Sequence, residues 1–127
     1  MKTRFVNPLP LVSDLGASVD FYEEVLGCKI LERSDDFALF EGGFALHGAS
    51  SMRDRLGLAP ERDQPLGRDN LVLYFEADDL DAFWEALPSR AQILHGPREE
   101  PPAQRILRFR DPDGHIVEVG QEAPSSQ

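Results

Sequence analysis

The stretch RFRDPDGHIVEVG, residues 108–120, decides how the rest of the chain is read. Asp111, Pro112, Asp113 and Gly114 make a tight turn, with Pro and Gly setting its backbone angles. On either side lie alternating runs, QRILRFR (104–110) and HIVEVGQ (115–121), that read as two strands. Alternation puts Glu118 on one strand face with Ile116, and His115 on the opposite face as a structural residue. A carboxylate at the centre of a strand has three readings: metal ligand, substrate-facing acid, or solvent-facing residue. Walled in by strands without a metal, it would act as a base or bind a cationic ligand.

Working outward, the second half opens with NLVLYFEA (70–77) as a strand and DDLDAFWEALP as a helix. That helix presents Leu80, Phe83, Trp84 and Leu87 on one face, capped by Asp78 or Asp79 and stopped by Pro88. Trp84 on this stripe is a core residue. AQILHG (91–96) is a further strand and PREEPPA a loop, with His95 at the strand end as a loop residue. The first half has the same order. FVNPLPLV (5–12) is a strand that Pro8 and Pro10 confine to an edge or to irregular pairing. SDLGASVDFYEEVLG is a helix with Leu15, Val19, Tyr22 and Leu26 at helical spacing, Ser13 or Asp14 at its start and Gly27 at its end. CKILERS (28–34), DFALF (36–40) and GFALHG (43–48) are short strands. Residues 50–69 lack alternation and read as a connector with one helical turn at SMRDRLG, a candidate arm or lid.

The chain is therefore β-α-β-β-β twice, an α+β fold of two modules. GFALH in the first half matches GHIVE in the second, so His47 corresponds to Glu118, and Asn7 and Asn70 open the leading strands. The predicted limits are 4–49 for module one, 50–69 for the connector, 70–121 for module two and 125–127 for a tail. Residues 1–124 together make one domain.

Composition narrows the partners. The net charge of −10, from 23 acidic and 13 basic residues, argues against nucleic acid, whose phosphates require a basic patch. An acidic surface accounts for this charge, or a cationic ligand if it is focused in a cleft. No apolar run suits a bilayer, and the Pro-broken N-terminus does not suit a signal peptide. The single cysteine, Cys28, favours a reducing, cytoplasmic setting.

The residues LVSDLGASVDFYEEVLG, NLVLYFEADDLDAFWEAL and RFRDPDGHIVEVG together resemble the vicinal oxygen chelate superfamily, which includes glyoxalases, bleomycin-resistance proteins, fosfomycin-resistance enzymes and extradiol dioxygenases. The resemblance covers nearly all of the chain outside residues 50–69 and the tail. It implies modules that curl into an open, cleft-enclosing mixed sheet, a small-molecule ligand and pairing as a homodimer. It also implies metal ligands at Asn7, His47, Asn70 and Glu118. Metal-dependent members present His or Glu at these positions, whereas two are carboxamides here, which are poor ligands for zinc, nickel or ferrous iron. His47 and Glu118 alone leave a divalent ion short of protein ligands. His47 also reads as a hydrogen-bonded core histidine. Arg105 and Arg108 complete the candidate cleft, where one guanidinium could clamp an anion.

Three functions follow. The first is a small-molecule cleft protein with a degenerate metal site. The second is a divalent-metal-dependent lyase or dioxygenase with Glu118 catalytic, the metal acting as a Lewis acid on vicinal oxygens. The third is an acidic dimer that sequesters cationic drugs.

Overall fold

The computed structural model describes residues 1–59, 65–101 and 105–123. The chain divides into two compact units, Met1–Leu66 and Gly67–Gln127. In the first, β1 (Leu11–Val12) leads into α1 (Leu15–Leu26), followed by β2 (Ile30–Arg33), β3 (Phe37–Phe40), β4 (Phe44–Gly48) and α2 (Ala49–Leu56). Asp14 caps α1 by accepting the Ala17 N–H at 3.1 Å, and Gly27 ends it in the left-handed region at φ 69°. The strand order is β1-β4-β3-β2, with β1 parallel to β4 and the other pairs antiparallel. Helix α1 packs on one face of this sheet through Tyr22, whose ring lies 5.1 Å from Phe44 and 6.4 Å from Phe40. Tyr22, Phe40 and Leu46 are fully buried, each stabilising the unit by about 2–3 kcal/mol relative to exposure.

The second unit repeats the plan: β5 (Val72–Ala77), α3 (Leu80–Ala86), β6 (Gln92–Glu99), β7 (Arg105–Arg110) and β8 (Ile116–Gln121). Its order, β5-β8-β7-β6, matches the first sheet position for position, again with the leading strand parallel to the last. Leu73, Leu107, Phe109, Val117 and Val119 are buried, with Phe109 6.1 Å from Phe83 of α3. The predicted α+β repeat is therefore present, as two mixed four-stranded sheets.

Several local expectations need correction. The strand expected over 5–12 shrinks to two residues, because prolines at 8 and 10 supply no N–H for a ladder. Instead of a single turn, α2 is an eight-residue helix closed by Gly57 at φ 70°. Strand β6 continues through Glu99, into the expected loop, and carries His95 inside it. Trp84 is half-buried, its ring covering Gly96, where an added Cβ would lie 3.1 Å from it. Residues 60–64 of the connector, 102–104 between β6 and β7, and the tail lie outside the described residues. Among the described residues no helix is long and apolar enough to cross a membrane.

The turn between β7 and β8 is held by its own first residue. Asp111, 1% exposed, accepts the N–H groups of Asp113 and His115 on Oδ1, each at 2.9 Å, and Gly114 takes φ 87°. Gly67 lies against this turn, donating to the Asp113 carbonyl at 3.0 Å. An added Cβ there would come within 2.3 Å of the Gly114 backbone, so no side chain fits. Gly67→Ala is expected to destabilise the protein by about 3 kcal/mol through overpacking. Gly16→Ala, in the first turn of α1 with its nearest neighbour at 3.6 Å, is expected to gain up to ~1 kcal/mol. Urea unfolding of the two variants checks both signs.

Candidate functional site

Strand β8 is interior to its sheet, so Glu118 has a neighbour on each side. Its register partners are Tyr74 on β5 and Arg108 on β7, and Arg108 is in turn paired with His95 on β6. One row of side chains, Tyr74–Glu118–Arg108–His95, thus runs across all four strands. It occupies the face opposite Val117, Phe109 and Leu73, because alternate residues of a strand point to opposite sides.

Charge organises the row. The Arg108 Nε–H donates to Glu118 Oε1 at 2.8 Å. Its Nη1 and Nη2 donate to the two Glu100 oxygens at 2.7 and 2.8 Å, a bidentate pair. Nη1 also meets His95 Nε2 at 3.0 Å. A guanidinium can only donate, so His95 Nε2 accepts and the ring proton sits on Nδ1, directed at the Gly96 carbonyl 2.8 Å away. Arg98 Nε adds a bond to Glu100 at 2.7 Å. Hydrogen bonds from Arg108 and Arg98 pull the Glu100 carboxyl down from 4.5 to about 2. Glu100 and Glu118 in turn raise the already high pKa of Arg108.

At the β5 end, Tyr74 is 55% exposed and donates its hydroxyl to Glu76 Oε2 at 3.0 Å. Its hydroxyl end lies against Gly120, where an added Cβ would approach it to 2.8 Å. Loss of solvent, the Glu76 bond and the negative charges of Glu76 and Glu118 together raise the phenol pKa.

In the first unit the residue that the sequence pairs with Glu118 is His47, on β4 between Leu11 and Phe37. It is buried, with Nδ1 2.9 Å from the Gly48 carbonyl and Nε2 3.8 Å from Asp36 Oδ2. Asp36 also receives Arg55 of α2 at 3.0 Å and the Ser34 hydroxyl at 3.2 Å. Loss of solvent raises the Asp36 pKa, but Ser34, Arg55 and His47 outweigh it and hold the carboxyl below its usual range.

The other candidates fall elsewhere. Asn7 precedes β1 and turns its Nδ2 to the neighbouring Pro8 carbonyl at 2.8 Å; Asn70 is exposed before β5 begins. Neither opens a strand as expected, and the residues beside His47 and Glu118 are Leu11 and Tyr74. Arg105, three residues from Arg108, leaves the opposite face and forks onto Asp81 of α3 at 2.8 and 2.9 Å. The guanidinium expected to clamp an anion is Arg108, and its fork already holds Glu100. Sequence reasoning missed Glu100, Tyr74 and the role of His95. Only the strand register, together with the bulges in β6, brings them together.

The donor set can be tested against a divalent metal. Within neither unit do the described residues bring together three or more His, Cys, Asp or Glu side chains that could hold one. No buried side-chain nitrogen or oxygen among them lacks a partner. Glu118 is neutralised by a guanidinium, which would repel a cation sharing that carboxylate. Within each unit, the described residues do not fit a metal.

The glyoxalase-like domain family matches residues 5–123. The chain belongs to that family, within the vicinal oxygen chelate superfamily. Among relatives, the uncharacterized protein YraH of Bacillus subtilis is 28% identical, over 86% of this chain and 91% of that protein. The metallothiol transferase FosB of Shouchella clausii is 32% identical, over 85% and 73%. A crystal structure of a protein of unknown function from Agrobacterium tumefaciens is 40% identical with a TM-score of 0.88, covering 97% of both chains. A glyoxalase/bleomycin resistance protein/dioxygenase from Nocardioides is 25% identical with a TM-score of 0.73, over 100% and 91%.

The depressed Glu100 carboxyl sets a pH signature. Its contribution to stability is fully present above about pH 4.5, the unfolded value, and is lost as pH falls toward about 2. Carbon-13 titration of the side-chain carboxyls should show Glu100 ionised well below pH 4. Glu100→Gln should abolish that resonance and flatten the acid limb of stability over the same window.

Proposed function

We propose that the protein is a small-molecule-binding member of the glyoxalase/bleomycin-resistance type whose Glu118 site works without a divalent metal. One observation carries the reading: the Arg108–Glu118 ion pair, 2.8 Å long, in which a guanidinium occupies the carboxylate at the superfamily's metal-ligand position. The leading-strand neighbours of His47 and Glu118, Leu11 and Tyr74, support it independently, since neither is a His, Asp or Glu. The row itself offers groups suited to recognition: oriented carboxylates and the exposed phenol ring of Tyr74.

The metallothiol transferase relatives support the alternative of metal-dependent chemistry. The two readings separate in one measurement. Protein purified without chelators, then titrated with nickel, zinc, manganese and ferrous iron, is expected to bind none stoichiometrically. Stoichiometric binding that Glu118→Gln abolishes would establish the alternative instead.

A homodimer fits this reading. Strands β1 and β5 are edges of their sheets, and Leu71 and Val72 at the start of β5 are 41% and 46% exposed. Uncovered edges of this kind favour pairing with another chain. Light scattering after size exclusion is expected to give twice the chain mass, and a monomer would refute the pairing.

A further inference from the structure

The hydrogen-bonding polarity of the Glu118 face points to a class of ligand. Arg108 spends four of its five N–H groups on Glu118, Glu100 and His95. Tyr74 spends its hydroxyl proton on Glu76. At the β5–β8 end of the row, acceptors remain. Glu118 Oε1 is held by Arg108, while Oε2 makes no hydrogen bond among the described residues. The side chain keeps 19% of its surface open, and the Arg108 bond fixes the direction of its carboxylate. Glu76 is exposed beside Tyr74. Val72, on the same face as Tyr74, is 46% exposed, so an apolar surface adjoins the carboxylates.

From this we infer that the site takes a planar organic cation, an amidinium or a protonated aromatic amine. Its N–H groups bond Glu118 Oε2 and its ring lies on Tyr74. The inference rests on the metal-free reading. Here the protein supplies the acceptors, and the ligand must supply the donors. His95 and Glu100 are positioning residues: they fix the guanidinium that turns Glu118. Cation–π attraction to an exposed tyrosine adds a smaller increment than the charged hydrogen bond.

Three probes of one shape test it: benzamidinium, benzoate and benzyl alcohol. Each is titrated by NMR into the protein with the Tyr74 ring resonances as readout. Benzamidinium should bind and shift Tyr74, with affinity falling about tenfold or more in Glu118→Gln and a few-fold in Tyr74→Leu. Thermal melts confirm that each variant folds. Should Glu118→Gln fail to fold, Glu76→Gln and Tyr74→Leu, both at exposed positions, carry the comparison and should each weaken benzamidinium. Benzoate or benzyl alcohol binding as tightly as benzamidinium would overturn the inference. So would benzamidinium binding indifferent to the substitutions, or none at all. Those failures leave the metal-free reading standing; a stoichiometric metal on Glu118 would remove that reading itself.

Discussion

The parallel pairing of β5 with β8 is the constraint on which the second unit depends. It makes β8 an interior strand, with β7 on its other side, so whatever residue 118 is must be met laterally from both sides. On the helix-facing side, Leu73, Val117, Val119, Leu107 and Phe109 satisfy this with apolar packing. On the other side the same register sets Tyr74, Glu118, Arg108 and His95 in line. A carboxylate there could not be left alone: an unpaired charge flanked by strands costs several kcal/mol. Arg108 answers that cost, and Glu100 and His95 in turn satisfy Arg108. The polar row follows from a single pairing rule applied to an acidic residue on a central strand.

The same rule explains why the metal reading weakens as the geometry comes into view. A carboxylate can be neutralised by a cationic side chain or by a metal ion, and the two compete for the same lone pairs. Arg108 holds one oxygen through a short charge-assisted bond and is itself anchored by a bidentate carboxylate. A metal would have to displace a guanidinium supported by two other groups, Glu100 and His95, with no imidazole from the same row to help: His95 Nε2 already accepts from Arg108. The chemistry left to the face is therefore hydrogen bonding and stacking.

Much of the fold was legible because it rests on short-range signals. Asp14 and Gly27 delimit α1, Asp79 caps α3, and the Asp111–Gly114 turn closes the last hairpin, each through local chemistry the residue types announce. The placing of His47 and Glu118 on the last strand of each β-α-β-β-β unit was also legible, and both strands are interior to their sheets. What failed was anything depending on pairing between strands. The prolines at 8 and 10 were read correctly as disruptive, yet the extent of the disruption, a strand of two residues, depends on which N–H groups β4 could have used. His95 looked like a loop residue because Gly96 and Pro97 follow it. The strand instead runs on through irregular pairing, and those bulges aim His95 at Arg108. Glu100 lies beyond the strand altogether, and no periodicity could have placed it.

The two units also show how far topology alone specifies chemistry. His47 and Glu118 lie on equivalent strands in the same strand order, yet their surroundings differ. His47 is 3% exposed and faces a backbone carbonyl and Asp36, which Arg55 ties to α2, so its polar atoms serve the packing of the first unit. Glu118 keeps 19% of its side-chain surface open and pairs with Arg108. The hydroxyl end of Tyr74 lies over Gly120, and even one methyl there would make it shift. Gly120→Ala should disturb the Tyr74 end of the row while leaving the Arg108–Glu100 end intact.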